Sequence, residues 1–434
     1  MSRIVWLLLI IVSFTTVHAD VKLKEQVDRS ADRMESKVIE WRRHFHQFPE
    51  LSNREFKTAQ KVAEYLEGLG LDVKTAVAHT GVVGLLKGGK PGPVVGLRAD
   101  MDALPVTERV DVPFASKVRT QYNGQDVGVM HACGHDAHTA MLMGVAEILS
   151  SMKKDLAGSV KFIFQPAEEG APRGEQGGAG LMVKEGVLEN PKVDVIFGLH
   201  VWALKEVGTI GYRPESMMAA SDGLRITVKG KQTHGSTPWT GVDPITVSAQ
   251  ILMGLQTIIS RQTELTEDAA VITIGSIHGG VRSNIIPDQV EMVGTIRTLN
   301  TEMQDKIHEK IHLTVTKIAE SAGTVAEVRI NKGNPVTYND PELTAMMLPS
   351  LEAAAGAENV TLIKAITGAE DFSFYQKQIP GLYFFLGGLP KGKKSEEAAP
   401  HHSPDFYIDE GCLKLGVRAL SYLVLDYMEQ YGDR

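Results

Sequence analysis

Residues 131–138 (HACGHDAH) and 165–170 (QPAEEG) hold the densest reactive side chains of this 434-residue chain. The first segment puts three imidazoles, a thiol and a carboxylate into one turn and the start of a helix. The second puts two adjacent carboxylates after an apolar run. Imidazole, thiolate and carboxylate form a mixed set of metal donors, and a carboxylate left over from ligation can serve as a base. The chemistry this implies is metal-assisted hydrolysis, in which a cation acidifies water and the base removes its proton.

The residues divide by role. Cys133 and His135 flank Gly134, whose freedom lets the backbone bend until both side chains face one point. A helix starting there carries partial positive charge, which is expected to favour the Cys133 thiolate before any metal arrives. His138 lies one helical turn after His135 and is read as a hydrogen-bonding neighbour of the ligands, with Asp136 as the residue that orients an imidazole. Glu168 and Glu169 read as consecutive residues of an extended segment, so that their side chains point opposite ways. On that basis Glu169 is a ligand and Glu168 the general base. His200 follows the apolar run 196–199 and joins the ligands. His402 follows a lysine-rich loop, and spacing alone would leave it a surface histidine.

These side chains need a frame that gathers them. Strands are expected at 82–87, 94–98, 160–164 and 193–199, and helices at 137–151 and 179–185. Asp100 and Asp102, Glu168 and Glu169, and His200 each follow a different strand. In open parallel sheets ligands gather beyond the carboxyl ends of the strands, so one shared site is expected. Residues 21–69 read as helical. The middle of the chain changes character: strand 223–229, helix 243–261, strands 269–274 and 290–297, helix 301–322 and strand 325–330 follow the ferredoxin-like βαββαβ order. Helix 341–355, strand 381–386 and a last helix at 410–428 resume the first pattern. The fold class is α/β, a mixed and mostly parallel sheet with helices on both faces, plus an inserted ferredoxin-like α+β satellite. The expected division is a signal segment at 1–19, a discontinuous metal-binding catalytic domain at 20–215 and 334–434, and a satellite at 216–333.

A formal net charge of -8, with no basic stripe, argues against a nucleic-acid partner. At the N-terminus Arg3, the apolar run Ile4–Phe14 and the small-x-small site Val17–Ala19 read as an export signal cleaved before Asp20. The protein is therefore expected to be periplasmic or secreted, with no membrane span after processing. Of the two cysteines, Cys133 sits among metal donors and Cys412 reads as a small core residue, so a disulfide between them is not expected.

The chain resembles the amidohydrolase branch of the aminoacylase/carboxypeptidase dinuclear metallohydrolases, which includes hippurate hydrolase, N-acyl-amino-acid amidohydrolases and plant auxin-conjugate hydrolases. The match runs through Arg42–Glu50, Gly96–Glu108, His131–His138, Phe164–Gly170, His200, His234–Ile245, Asn284–Met292, Gly368–Phe374 and His402–Phe406. The resemblance implies two divalent cations per subunit, zinc or manganese, bound by Cys133, His135, Glu169, His200 and His402, with Glu168 as catalytic base. Where relatives outside the branch carry a His-x-Asp motif, this chain has Asp100 and Asp102, and Asp102 would orient a ligand. The resemblance also implies a homodimer through the satellite, in which His234 steadies the oxyanion in the partner's site and Asn284 binds substrate.

The reaction expected is cleavage of the amide bond of N-acyl amino acids or short peptides carrying a free carboxylate. Arg297 or Arg282 would meet that carboxylate. A metal-dependent carboxypeptidase or dipeptidase is the neighbouring alternative. A periplasmic binding protein with a structural metal site is an alternative of another class, and a cysteine hydrolase using Cys133 is a third.

Overall fold

The structure is a computed structural model that describes residues 2–431, with side chains described from residue 22 on. The export segment expected at 1–19 lies outside the described side chains. Among the described residues no helix is long and apolar enough to cross a membrane.

The chain forms two units. The first takes the chain up to Glu215, then Asn339–Ile363, and then the C-terminal part from Phe374; the second is Ser216–Tyr338 with Lys364–Ser373. The sequence reading placed residues 364–373 in the catalytic domain. They group with the second unit because the Ala219 amide donates to the carbonyls of Ile366 and Gly368.

In the first unit α1 (Ser2–Gln47) and α2 (Phe56–Gly68) are separate helices. The single helical stretch expected over 21–69 breaks at Pro49, which cannot continue a helix. Then come β1 (Asp72–Val77), β2 (Gly81–Lys87), β3 (Lys90–Asp100) and a hairpin of β4 (Arg119–Tyr122) and β5 (Gln125–Gly128). They are followed by α3 (His135–Ser151), β6 (Ala157–Gln165), α4 (Gly178–Lys184), β7 (Val195–Glu206) and β8 (Ile210–Tyr212). The second unit contributes β9 (Ala220–Lys229), α5 (Pro244–Gln262), β10 (Ala270–His278), β11 (Gln289–Thr298), α6 (Thr301–Ser321) and β12 (Ala326–Lys332). The first unit closes with α7 (Pro341–Ala355), β13 (Val360–Leu362), β14 (Gly381–Leu389) and α8 (Cys412–Tyr431).

The main sheet has the order β1-β2-β6-β3-β7-β14-β8-β13. Its centre is parallel, β6 with β3, β3 with β7 and β7 with β14. These central strands are apolar along most of their length, as strands covered on both faces must be. Val38 of α1, Leu142 of α3 and Leu423 of α8 share one core with Phe162 and Phe197 of the sheet. Burying side chains of this size contributes about 1.5–3 kcal/mol each. Cys412 belongs to that core, and both cysteines are free thiols.

The second unit is a four-stranded antiparallel sheet, β10-β11-β9-β12, with α5 and α6 packed on it through Ile251, Leu255, Ile307 and Ile311. Asp243 caps α5 and Asn300 caps α6, each side chain accepting from backbone N–H groups of the first turn.

Candidate metal centre

The parallel strands deliver their ends to one place. β3 ends at Asp100, and Asp102 follows two residues later. The Asp100 carboxylate meets Arg98 at 2.6 Å and His138 Nδ1 at 2.6 Å. His138 Nε2 in turn accepts the Val201 amide at 2.9 Å. His138 is thus committed at both nitrogens to bonds that fix the neighbouring strand. β6 ends at Gln165, and Ala167 adopts a left-handed φ of 55°.

 Its N–H donates to the buried Glu55 carboxylate at 2.9 Å, which holds the bend in place. Glu168 and Glu169 therefore lie in a turn and not on the extended segment expected from sequence. Their side chains do not diverge: each brings a carboxylate oxygen within 3.9 Å of His135 Nε2.

Asp102 ties the turn to the ligands. Its Oδ1 accepts from the Glu168 amide at 3.0 Å and lies 3.3 Å from His135 Nδ1. Its Oδ2 accepts from the Glu169 amide at 3.0 Å and from Ser52 Oγ at 2.7 Å. One buried carboxylate thus sets the tautomer of His135 and the position of both glutamates. The orienting role expected of Asp136 goes elsewhere. Its Oδ2 meets Arg42 Nε and His46 Nδ1, each at 2.8 Å, in a buried ion-pair network.

Gly134 precedes α3 with a φ of 93°, and a Cβ there would stand 2.2 Å from Val201 Cγ2. Only glycine fits this bend, which turns Cys133 and His135 toward the same centre. Cys133 Sγ lies 3.4 Å from His200 Nε2 and 3.3 Å from His402 Nε2. His402 Nε2 is also 3.1 Å from Glu169 Oε1. Its backbone N–H donates to the Ala132 carbonyl at 2.8 Å, pinning the C-terminal loop beside the Cys133 turn. His200 lies inside β7, which runs on to Glu206 because β14 pairs with it in parallel along that length. Its Nδ1–H donates to the Val201 carbonyl at 2.7 Å, leaving Nε2 as the lone-pair donor.

The structure therefore brings these residues into adjoining donor groups that share members: Cys133 with His200 and His401, Cys133 with Glu169 and His402, and His135 with Glu168 and Glu169. Two observations fit divalent cations there. The buried Nε2 of His135 has no hydrogen-bond partner among the described residues. The surroundings are also rich in negative charge. Burial would lower the His135 pKa, yet the carboxylates of Asp100, Asp102 and Glu169 push it up to about 10. Burial, with Glu169 and Glu168 adding to it, raises the Cys133 thiol well above its ordinary value. This reverses the expectation of a thiolate preformed by the helix terminus: the thiolate needs a cation. Burial and the neighbouring His138 hold His200 well below its ordinary value, so it is neutral and able to coordinate.

Sequence reasoning passed over three residues. His401 Nδ1 lies 3.6 Å from Cys133 Sγ, while its Nε2 accepts the Ala203 amide at 3.1 Å. Burial lowers its pKa to about 3, so the ring is neutral and Nδ1 carries the proton that faces the sulfur. Its position beside His402 in the sequence was the available signal. Glu55 had no motif to mark it. His131 is buried, with neither ring nitrogen bonded among the described residues, and lies outside the donor clusters.

His234 and Asn284 lie in the second unit, on a two-stranded ribbon where the Gly235 amide donates to the Asn284 carbonyl at 2.9 Å. His234 is exposed, and its Nδ1 accepts the Ser236 amide at 3.0 Å, so a neutral ring presents Nε2–H outward. Arg282 shares the turn with Asn284, its carbonyl accepting the Ile285 amide at 3.2 Å. Arg297, expected as one of two candidates for the substrate carboxylate, does not stand beside Asn284. It faces Ser221 and Val271 across the sheet, eight residues into β11 and roughly 26 Å along it at the usual strand rise.

Residues 96–426 match the profile of peptidase family M20/M25/M40. The chain is 40% identical over 407 residues to thermostable carboxypeptidase 2 of Saccharolobus solfataricus, covering 93% of this chain and 99% of that one. It is 35% identical over 398 residues to N-acetyl-L-cysteine deacetylase of Bacillus subtilis, covering 91% and 89%. A solved Bacillus subtilis structure, described as a dinuclear metal binding peptidase from the M20 family, superposes with a TM-score of 0.76 at 34% identity, covering 92% of this chain and 99% of that one.

Proposed function

Because the chain belongs to peptidase family M20/M25/M40, whose members are metal-dependent hydrolases, we propose that it cleaves the amide bond of N-acyl amino acids or short peptides at two divalent cations, zinc or manganese. The observation that carries this reading is the meeting of Cys133, His200, His402 and Glu169 within 3.1–3.4 Å contacts, beside a His135 Nε2 that has no hydrogen-bond partner among the described residues. Thiolate and imidazole donors suit zinc, and carboxylate and imidazole donors suit manganese.

Cys133, His135, Glu169, His200 and His402 are the residues that would hold the cations. Divalent cations held there supply positive charge that acidifies water and draws electrons from the scissile carbonyl. Glu168 takes the proton from the attacking water and delivers it to the leaving amine nitrogen. Asp102 keeps Glu168 in reach through the Glu168 amide and fixes the ring of His135. In a homodimer formed through the second unit, the outward Nε2–H of His234 would donate to the developing oxyanion, with Asn284 and Arg282 binding the substrate carboxylate. Export of the chain, with cleavage before Asp20, is part of the same reading and rests on the apolar run Ile4–Phe14 and the small-x-small site Val17–Ala19.

The test is to strip the protein of metal, restore zinc or manganese separately, and assay N-acetyl and N-benzoyl amino acids and dipeptides. Hydrolysis that returns only with metal supports the reading. A metal-free protein that retains full activity overturns it.

A further inference from the structure

We propose that the cavity of about 440 Å³ between the loop 49–54, residues 103–105 and the β4–β5 hairpin is the pocket that receives the acyl group of the substrate. The proposal rests on the hydrolase reading above and adds the class of acyl group: an uncharged apolar group larger than acetyl, either an aliphatic chain or an aromatic ring.

Position is the first argument. The cavity is lined by Glu169, a metal-ligand candidate, and by Ser52, whose hydroxyl donates to Asp102 at 2.7 Å. One end of it therefore lies at the reacting centre. Its walls are the second argument. Leu51, Leu104, Pro105, Val118 and Val129 supply apolar surface, and Tyr122 stands at the hairpin end.

Charge is the third argument. Two arginines line the cavity, and both are already paired. Arg54 holds Glu175 at 2.6 and 3.1 Å, and Arg119 Nε holds Asp126 at 2.9 Å. The Glu50 carboxylate accepts the Thr58 amide at 2.9 Å and the Lys57 amide at 2.9 Å, capping the start of α2. A substrate carboxylate entering here would meet arginines whose charge is already balanced by a carboxylate. An uncharged chain can lie along Leu51, Leu104, Pro105 and Val118, the apolar part of a wall that also carries Thr120 and Gln121. The volume falls within the range of about 300–1,000 Å³ typical of small-molecule sites and leaves an acetyl group loosely held.

The hairpin gives the pocket a fixed wall. Asn123 and Gly124 both have positive φ, 51° and 78°, which is the two-residue turn that matches strand twist. At the other end Gly128 lies so close to Thr107 that a Cβ would come within 2.6 Å of its hydroxyl.

The experiment measures binding of acetate, butanoate, hexanoate and benzoate to the zinc-loaded protein by calorimetry, alongside turnover of the matching N-acyl methionines. Burial of each methylene is worth about fourfold in affinity. Hexanoate is expected to bind at least 30-fold more tightly than acetate, and kcat/KM is expected to rise in the same order. Val118→Trp, which fills the cavity, should cut that hexanoate-to-acetate ratio at least tenfold. Tyr122→Ala, at the exposed end of the hairpin, should also reduce it and reads the same ratio if Val118→Trp does not fold. A flat affinity series in the natural protein, or a ratio unmoved by both variants, overturns the pocket. Absence of turnover on every N-acyl substrate while affinity still climbs with chain length overturns the amidohydrolase reading and leaves the pocket standing.

Discussion

Replacing Asp102 with asparagine probes the residue on which both halves of the centre hang. Four hydrogen-bond donors or ring nitrogens converge on its two oxygens: His135 Nδ1 and the Glu168 amide on one, Ser52 Oγ and the Glu169 amide on the other. Asparagine offers one oxygen. If that oxygen replaces Oδ1, the new NH₂ group confronts the Glu169 amide donor to donor. Ser52 can rotate its hydroxyl to accept, but the backbone cannot. If the amide flips, the NH₂ confronts the Glu168 amide and His135 together. Either way at least one backbone N–H loses its partner, which costs about 1–3 kcal/mol. The negative charge beside His135 is lost as well. Removing a group that orients a metal ligand weakens metal affinity by about 10–100-fold, equivalent to about 1.4–2.8 kcal/mol and in line with the hydrogen-bond loss. Competition with a chromophoric zinc chelator measures the change, and thermal melting of the metal-free variant shows that it folds. A folded Asp102→Asn protein with zinc affinity equal to that of the natural chain would refute the reasoning.

Three further outcomes follow from the same geometry. Glu168→Gln should keep its metal, measured by elemental analysis, and lose at least about 100-fold in kcat/KM; an active variant removes Glu168 from the base role. Gly134→Ala should cost about 1–3 kcal/mol in backbone strain alone, before its 2.2 Å clash with Val201 is relieved, so both melting temperature and bound metal should fall. Burial would raise the pKa values of Asp102 and Asp136, but His135 for the first and Arg42 for the second hold them below the ordinary value. Their contribution to stability is therefore complete above the unfolded carboxylate pKa of about 3.9 and is lost as pH falls through the lower folded values. The melting temperature of the metal-free protein should drop steadily from about pH 5 toward pH 2, and a flat profile there contradicts the ion-pair account.

The parts of this protein that sequence made legible are those set by local periodicity. Apolar runs ending in ligand-type residues marked β3, β6 and β7, and the βαββαβ order of the second unit emerged from alternating helical and strand spacing. What escaped was set by tertiary contact. The sequence around Glu168 and Glu169 looks extended, but a hydrogen bond from Ala167 to Glu55, more than a hundred residues away in the chain, forces a turn. The thiol of Cys133 starts near a helix N-terminus, yet burial among carboxylates outweighs the dipole. Asp136 has the spacing of an orienting residue, but Arg42 and His46 from α1 claim it. The β4–β5 hairpin carries its own local signal, since Asn123 and Gly124 form the dipeptide most favoured in a two-residue turn.

The most direct test of the account is anomalous diffraction from crystals grown with zinc and with manganese, collected at each metal's absorption edge. The account predicts two peaks per chain inside the cluster of Cys133, His135, Glu169, His200 and His402, at donor distances of about 2.0–2.3 Å. Peaks confined to other surfaces, or a centre that stays without metal while the protein hydrolyses its substrates, would contradict it.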